Sequence, residues 1–219
     1  MPTGSSQLPH VSVIVPVRND AGGLATLLPA LLAQTYPRDR MQVLVVDNAS
    51  TDETWQVARR YAEAHPEFVH VLMERKLGAY AARNAALRVA TGDILAFTDA
   101  DCTPAPDWLE AGVRALQEHR ADLVGGQVGF ALSQRPTAAA LYDAATNMRN
   151  RYNIATMGAA VTANLFVTRR VLETIGPFPG EFRSGEDVHW TLRATRAGLI
   201  MVYAPDAVVR HPTRELGPL

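Results

Sequence analysis

Between residues 11 and 119 the chain switches four times from a short β-branched or apolar run to a longer segment with helical spacing, and no other feature constrains its fold as strongly. VSVIVPV at 11–17 predicts a buried strand. In residues 21–34, Leu24, Leu27, Leu28, Leu31 and Leu32 fall at the i, i+3, i+4, i+7 spacing of a helix with one apolar face. MQVLVV at 41–46 predicts a second strand ending at Asp47, and Ser50-Thr51-Asp52-Glu53 has the form of a capping box opening a helix to about residue 64. A third strand is expected at 68–73, an alanine-rich helix at 80–90, a fourth strand at 94–98 (ILAFT) and a helix from Pro106-Asp107-Trp108 to about residue 119. Such alternation predicts an α/β fold with a parallel, doubly wound sheet and right-handed crossovers.

The second half is less regular. A strand is expected at 122–130, a helix at 138–153, a strand at 162–168, helices at 169–175 and 186–197, and short strands at 200–203 and 207–210 flanking Pro205. Gly176-Pro177-Phe178-Pro179-Gly180 reads as a turn, and MPTGSSQLPH at 1–10 as a loose tail. No linker divides 11–219, so one domain is expected, with a ligand-binding half at 11–120 and a second half at 121–219.

Composition removes several classes of function. Lys+Arg of 21 against Asp+Glu of 22 leaves a net charge of -1, which gives no general attraction to nucleic acid. The single cysteine, Cys102, excludes a disulfide framework and multi-cysteine zinc sites, and is consistent with a reducing, cytoplasmic setting. No apolar run approaches the roughly 18–20 residues of a membrane span. Neither a G-x-x-x-x-G-K-[ST] loop nor a G-x-G-x-x-G after the first strand is present, so P-loop and dinucleotide-binding readings lose their main support.

In an open parallel sheet, ligands bind beyond the carboxyl ends of the strands, where strand order reverses. Asp47 follows the second strand and Asp99-Ala100-Asp101 the fourth. If that segment is extended, residues i and i+2 point the same way, and two carboxylates so close call for a cation such as Mg²⁺ or Mn²⁺. Asp47 reads equally well as a ligand or as a cap for the following helix, and Asp52 as a cap. Glu186 and Asp187 open a helix, where one acid is expected to serve the dipole.

VSVIVPVRND, LVVDNAST, GAYAARNAAL, ILAFTDADCTPAPDWL, TANLFVTRR, GEDVHWTLR and VVRH occur in the order seen in family 2 glycosyltransferases, which the chain resembles over most of 11–211. That resemblance implies the GT-A nucleotide-diphospho-sugar transferase fold, a mostly parallel central sheet flanked by helices. It implies that Pro16, Val17, Arg18, Asn19 and Asp47 bind the base of a UDP- or GDP-sugar, with Arg83 near the nucleotide. Asp99 and Asp101 match the family's D-x-D, which holds the ribose and a Mn²⁺ or Mg²⁺ ion, and His211 matches a histidine near the metal. Asp187 matches the catalytic base of an inverting transfer. Glu186 is assigned to the acceptor side, and so is Trp190 one turn from the base, although packing is the commoner role for tryptophan. His189 departs from the acidic residue common at its position.

The acceptor class, whether glycan, lipid or small molecule, is left open. Relatives commonly continue past the position of His211 into a helix or membrane segment, so peripheral association with the inner face of the cell membrane is expected through such a segment. The alternatives are a non-catalytic binding subunit of the same fold and a sugar nucleotidyltransferase. Arg18-Asn19-Asp20-Ala21-Gly22-Gly23 is a weak version of the latter's glycine-rich loop.

Overall fold

The computed structural model of the chain describes residues 8–132, 136–180 and 185–213. One eight-stranded sheet organises them, in the order β3-β2-β1-β4-β7-β6-β8-β5. Its left half is the predicted alternation: β1 (Val11–Val17), α1 (Ala21–Leu32), β2 (Met41–Asp47), α2 (Thr54–Ala64), β3 (Val69–Met73), α3 (Ala79–Leu87) and β4 (Ile94–Thr98). β1 pairs in parallel with both β2 and β4, so the chain winds outward to β3, then returns to the other side of β1.

Alternate residues of β1 build two cores, as the period of 2 requires. Val11, Val13 and Val15 meet the α1 leucines and, from α4 (Trp108–Glu118), Trp108 and Leu109. Ile14 turns to the opposite face with Leu44, Leu95, Phe97 and the alanines of α3.

The right half departs from an all-parallel sheet. β7 (Asn164–Thr168) runs antiparallel to β4 and to β6 (Leu123–Ala131). The short pieces expected at 200–203 and 207–210 form one strand, β8 (Met201–Pro212), parallel to β6. The ladder absorbs Pro205 by a register shift between Gly126 and Gln127, which confines the residue without an N–H to a bulge. β5 (Thr103–Pro104), a two-residue strand against β8, was not anticipated.

The helix expected at 138–153 is two, α5 (Ala138–Thr146) and α6 (Asn150–Met157), parted where Met148 takes a left-handed φ of 49°. α7 (Arg169–Ile175) and α8 (Glu186–Arg196) cover the second face. The capping box does not form: Ser50 Oγ accepts from Asn19 N, and Asp52 Oδ1 caps Thr54 N at 3.0 Å instead. Pro9 and His10, read as the end of a loose tail, are held by Tyr36 Oη donating to Pro9 O and His10 N donating to Asp93 Oδ2; residues 1–7 lie outside the described residues. Among the described residues no helix is long and apolar enough to cross a membrane.

Candidate active site

Strand order reverses on either side of β1, and a cleft of about 470 Å³ opens at the carboxyl ends of β1 and β4. Pro16 and Val17 line it from β1 and Arg18 from just beyond, Asp99 and Asp101 from the turn after β4, Arg83 from α3 and His211 from β8. Asp20, Asn48 and Gly78, which sequence reasoning passed over, complete the wall.

Three loops are knotted together beneath this wall. Asp20 Oδ1 accepts from Gly23 N to cap α1, and a Cβ on Gly23 would stand 2.2 Å from that carboxylate and push it aside. Asn48 Nδ2 donates to Glu74 O and Lys76 O, while its Oδ1 accepts from Gly78 N, where φ is 123°. Asn19 serves the same scaffold: it adopts φ 52°, and its Oδ1 accepts from Thr51 N at 2.7 Å. Its carboxamide is thereby engaged in holding the β1 and β2 loops together. Asp47 is fully buried; its Oδ2 accepts from Ser50 N, and its Oδ1 has no partner.

The two aspartates after β4 reach the same cleft by a route other than the expected one. The segment is a turn, closed by Cys102 N donating to Asp99 O, not an extended strand with i and i+2 on one face. Asp99 Oδ1 pairs with Arg83 Nη2 at 3.1 Å, and Asp101 Oδ2 with His211 Nε2 at 3.2 Å. Burial pushes the Asp99 carboxyl above the usual aspartate range; Arg83 opposes this, and the nearby charges of Asp101 and Asp187 add to it. For His211, burial alone would lower the imidazole, but the hydrogen bond and charge of Asp101 outweigh it and the net direction is up. Cys102 is a buried thiol pushed strongly upward by its surroundings.

Two of these residues suit a divalent ion. Asp101 and His211 offer a carboxylate oxygen and an imidazole nitrogen within 4.8 Å of one another, and Asp101 Oδ1 is buried without a hydrogen-bond partner, whereas the Cys102 thiol beside them is kept protonated by burial and is no ligand for a hard ion. A cation there would satisfy that oxygen and offset the charge that raises Asp99.

A second, smaller cavity of about 250 Å³ adjoins the cleft and shares Met148 and His211 with it. Asp187 lines it beside Phe130, Val161 and Val188. Thr162 fixes this carboxylate, donating from both its backbone N (3.0 Å) and Oγ1 (3.2 Å) to Asp187 Oδ2, while Val188 N donates to Oδ1. Thr191, one turn on, exchanges hydrogen bonds with the Ala160 backbone and pins α8 to that loop. The sequence offered no signal for Thr162 beyond its place in TANLFVTRR.

Two assignments change. Glu186 does not line the cavity that holds Asp187: its Oε1 accepts from Arg83 Nη1 at 3.1 Å. Trp190 is fully buried, stacked on Phe178 at 4.2 Å between centroids, with Nε1 donating to Gly176 O. An indole enclosed in this way is core, and no acceptor reaches it.

The Glycosyl transferase family 2 model matches residues 12–170. The chain belongs to that family. It is 45% identical over 215 residues to glycosyltransferase AglE of Haloferax volcanii, covering 98% of this chain and 71% of the relative. It is 29% identical over 219 residues to the pre-mycofactocin glycosyltransferase of Mycobacterium tuberculosis, of which it spans 44%. Among solved structures, the mannosyltransferase PcManGT from Pyrobaculum calidifontis, in complex with GDP-Man and Mn²⁺, superposes with a TM-score of 0.75 at 31% identity, covering 94% of this chain and 57% of that one. TarS from S. aureus shares the fold, with a TM-score of 0.74 at 23% identity over 93% of this chain and 37% of its own. This family 2 glycosyltransferase therefore has the GT-A fold, and it is an enzyme of that architecture.

Proposed function

We propose that the chain moves a sugar from a nucleotide-diphosphate donor to an acceptor hydroxyl with inversion at the anomeric carbon. The observation that carries this reading is the convergence of Asp99, Asp101, Arg83 and His211 on one cleft, with the hydrogen-bonded carboxylate of Asp187 in the adjoining cavity across Met148 and His211. Residues 11–120 supply most of the donor side, and 121–219 the acceptor side. The GDP-Man complex of PcManGT supports a UDP- or GDP-sugar as donor, and its Mn²⁺ supports a divalent ion.

Asp99 and Asp101, with His211 beside them, would hold Mn²⁺ or Mg²⁺; when bound, the ion supplies Lewis-acid stabilisation of the diphosphate leaving group. Arg83 sits 3.1 Å from Asp99 and aims a fixed guanidinium at the same region, adding positive charge in a low-dielectric pocket where it is most effective. On the opposite side, the acceptor hydroxyl enters the cavity lined by Asp187. As its oxygen bonds to C1, the C1–O bond to phosphate breaks, the electron pair leaves with the diphosphate and the hydroxyl proton passes to Asp187. Thr162 and Val188 hold that carboxylate oriented, and a positioned base typically contributes about 10²–10⁴-fold. Direct displacement needs no enzyme nucleophile, in keeping with a Cys102 thiol that burial keeps protonated.

The test is incubation of the purified chain with a panel of UDP- and GDP-sugars and Mn²⁺, measuring release of nucleoside diphosphate and, where a product accumulates, its anomeric configuration by NMR. Absence of both donor binding and donor turnover across the panel refutes the reading; a retained configuration refutes the single-base mechanism.

A further inference from the structure

Beyond Met148 from the donor cleft lies a cavity of about 620 Å³, lined by Gln127, Arg149, Arg151, Tyr152 and Tyr203 among others. Its lining is the more basic of the two. The donor side sets Asp20, Asp99 and Asp101 against Arg18, Arg83 and His211; this side carries two guanidinium groups and no carboxylate in its described wall. Arg149 lies over the Tyr152 ring at 4.5 Å, and neither arginine is ion-paired among the described residues.

The arginine pair opposes the local electrostatics. Arg149 is the N-cap of α6 and Arg151 lies in its first turn, where the partial positive charge of the helix disfavours cations. No acidic residue stands in that turn, and no side chain caps it. Nor can the backbone yield: Asn150, between the two, is buried, with Nδ2 donating to Gly126 O and Asn164 O and Oδ1 accepting from Val161 N. An anion in this cavity would be met by guanidinium groups from both residues and would offset the unfavourable dipole. Val128, Met148 and Ala155 add an apolar wall for something larger than the anion alone.

We propose that this cavity binds a phosphate group borne on an organic moiety, and that this moiety is part of the acceptor. The acceptor role rests on the transfer reaction proposed above; the phosphate site does not.

The experiment is isothermal titration of the full chain, in EDTA so that no divalent ion draws phosphate to the donor cleft. The probes are octyl phosphate below its micelle concentration and glucose 1-phosphate, with octyl glucoside as the phosphate-free control. At least one phosphate ester is expected to bind, and R149Q/R151Q to weaken it by about tenfold per arginine lost, without creating binding of octyl glucoside. Tighter binding of octyl phosphate assigns the phosphate to a lipid, and of glucose 1-phosphate to a soluble sugar ester. Failure of both esters to bind the wild type, or equal binding by R149Q/R151Q, overturns the proposal. Both arginine side chains are exposed, so the variant is expected to keep the wild-type melting temperature, and R149K/R151K, which retains charge without the fork, should fall between the two. GDP and UDP binding with Mn²⁺ is measured in parallel: if these fail while the phosphate ester binds, the transfer reading falls and the anion site stands.

Discussion

Replacing Arg83 by methionine tests the electrostatic design of the cleft directly. The residue is 5% exposed and bridges Asp99 and Glu186 at 3.1 Å each, with the faces of Phe178 nearby. Methionine approximates the volume but leaves two carboxylates beside Asp101 with their shared cation gone. Deleting one partner of a buried ion pair typically costs about 3–5 kcal/mol. The Asp99 side chain is 29% exposed and keeps part of its hydration, so the lower end, about 3 kcal/mol, is expected, equivalent to roughly 6–12 °C in Tm for a chain of this size. The loss should depend on pH in a defined direction. Asp99 already titrates above its ordinary value in the folded protein and Arg83 holds it down, so the variant raises it further. A carboxyl raised on folding favours the folded state in acid, and that advantage is lost as pH rises through the folded pKa. Urea unfolding of wild type and R83M between pH 5 and 8 should therefore show a difference that grows with pH, and Mn²⁺ should restore part of it by neutralising Asp99. A loss below about 1 kcal/mol, or one independent of pH, would refute the reasoning.

Asp187→Asn should keep nucleotide binding while transfer falls by about 10²–10⁴-fold, measured as donor affinity against turnover; lost donor affinity would make Asp187 a nucleotide contact. Trp190→Ala should cost about 3–5 kcal/mol in urea unfolding, because it empties a stacked core site; unchanged stability would revive an acceptor role. Mn²⁺ at about 100 times its Kd should add about 2.7 kcal/mol, seen as a raised Tm at pH 7.5, less at pH 5 where protons compete for Asp99 and His211, and not at all in Asp101→Asn. Gly112→Ala sets two effects against each other: alanine gains about 1 kcal/mol of helix propensity in α4, but its Cβ would meet the Phe166 ring at 2.3 Å. Overpacking of about 1–3 kcal/mol should win, and calorimetry would show a lowered Tm.

The left half of the sheet was legible because each element there carries its own periodicity. The valines of β1 and leucines of α1 specify buried faces without reference to the rest of the chain, and parallel winding then fixes where Asp99 and Asp101 must stand. Their shared direction was reached for the wrong reason, since it is the turn at Asp99–Cys102, not strand alternation, that brings them together. Glu186 and Trp190 were misplaced because a helix start gives the spacing of side chains but not the rotation of the helix about its axis. That rotation is set by Thr191 on Ala160 and by Arg83 on Glu186, contacts between residues 31 and 103 positions apart.

The right half resisted reading because its determinants are side-chain bonds to distant backbone. Asn164 alone joins four elements: Nδ2 donates to Gln127 O and Ala207 O, Oδ1 accepts from Trp108 Nε1, and its carbonyl accepts from Asn150. An asparagine inside TANLFVT has no periodic signature, yet this one fixes β7 against β6 and β8 and so decides where Thr162 presents its donors to Asp187. Met148 shows the same limit more sharply. Its left-handed backbone breaks one predicted helix into two, and the residue borders the donor cleft, the Asp187 cavity and the arginine-lined cavity alike. Such strain in a residue other than glycine costs on the order of 1–2 kcal/mol and persists where surrounding structure imposes it. Here Asn150 holds the chain from the far side, bonded into the sheet, so the break that sequence propensity could not foresee separates the cleft that holds Asp99 and Asp101 from the cavity that holds Arg149 and Arg151.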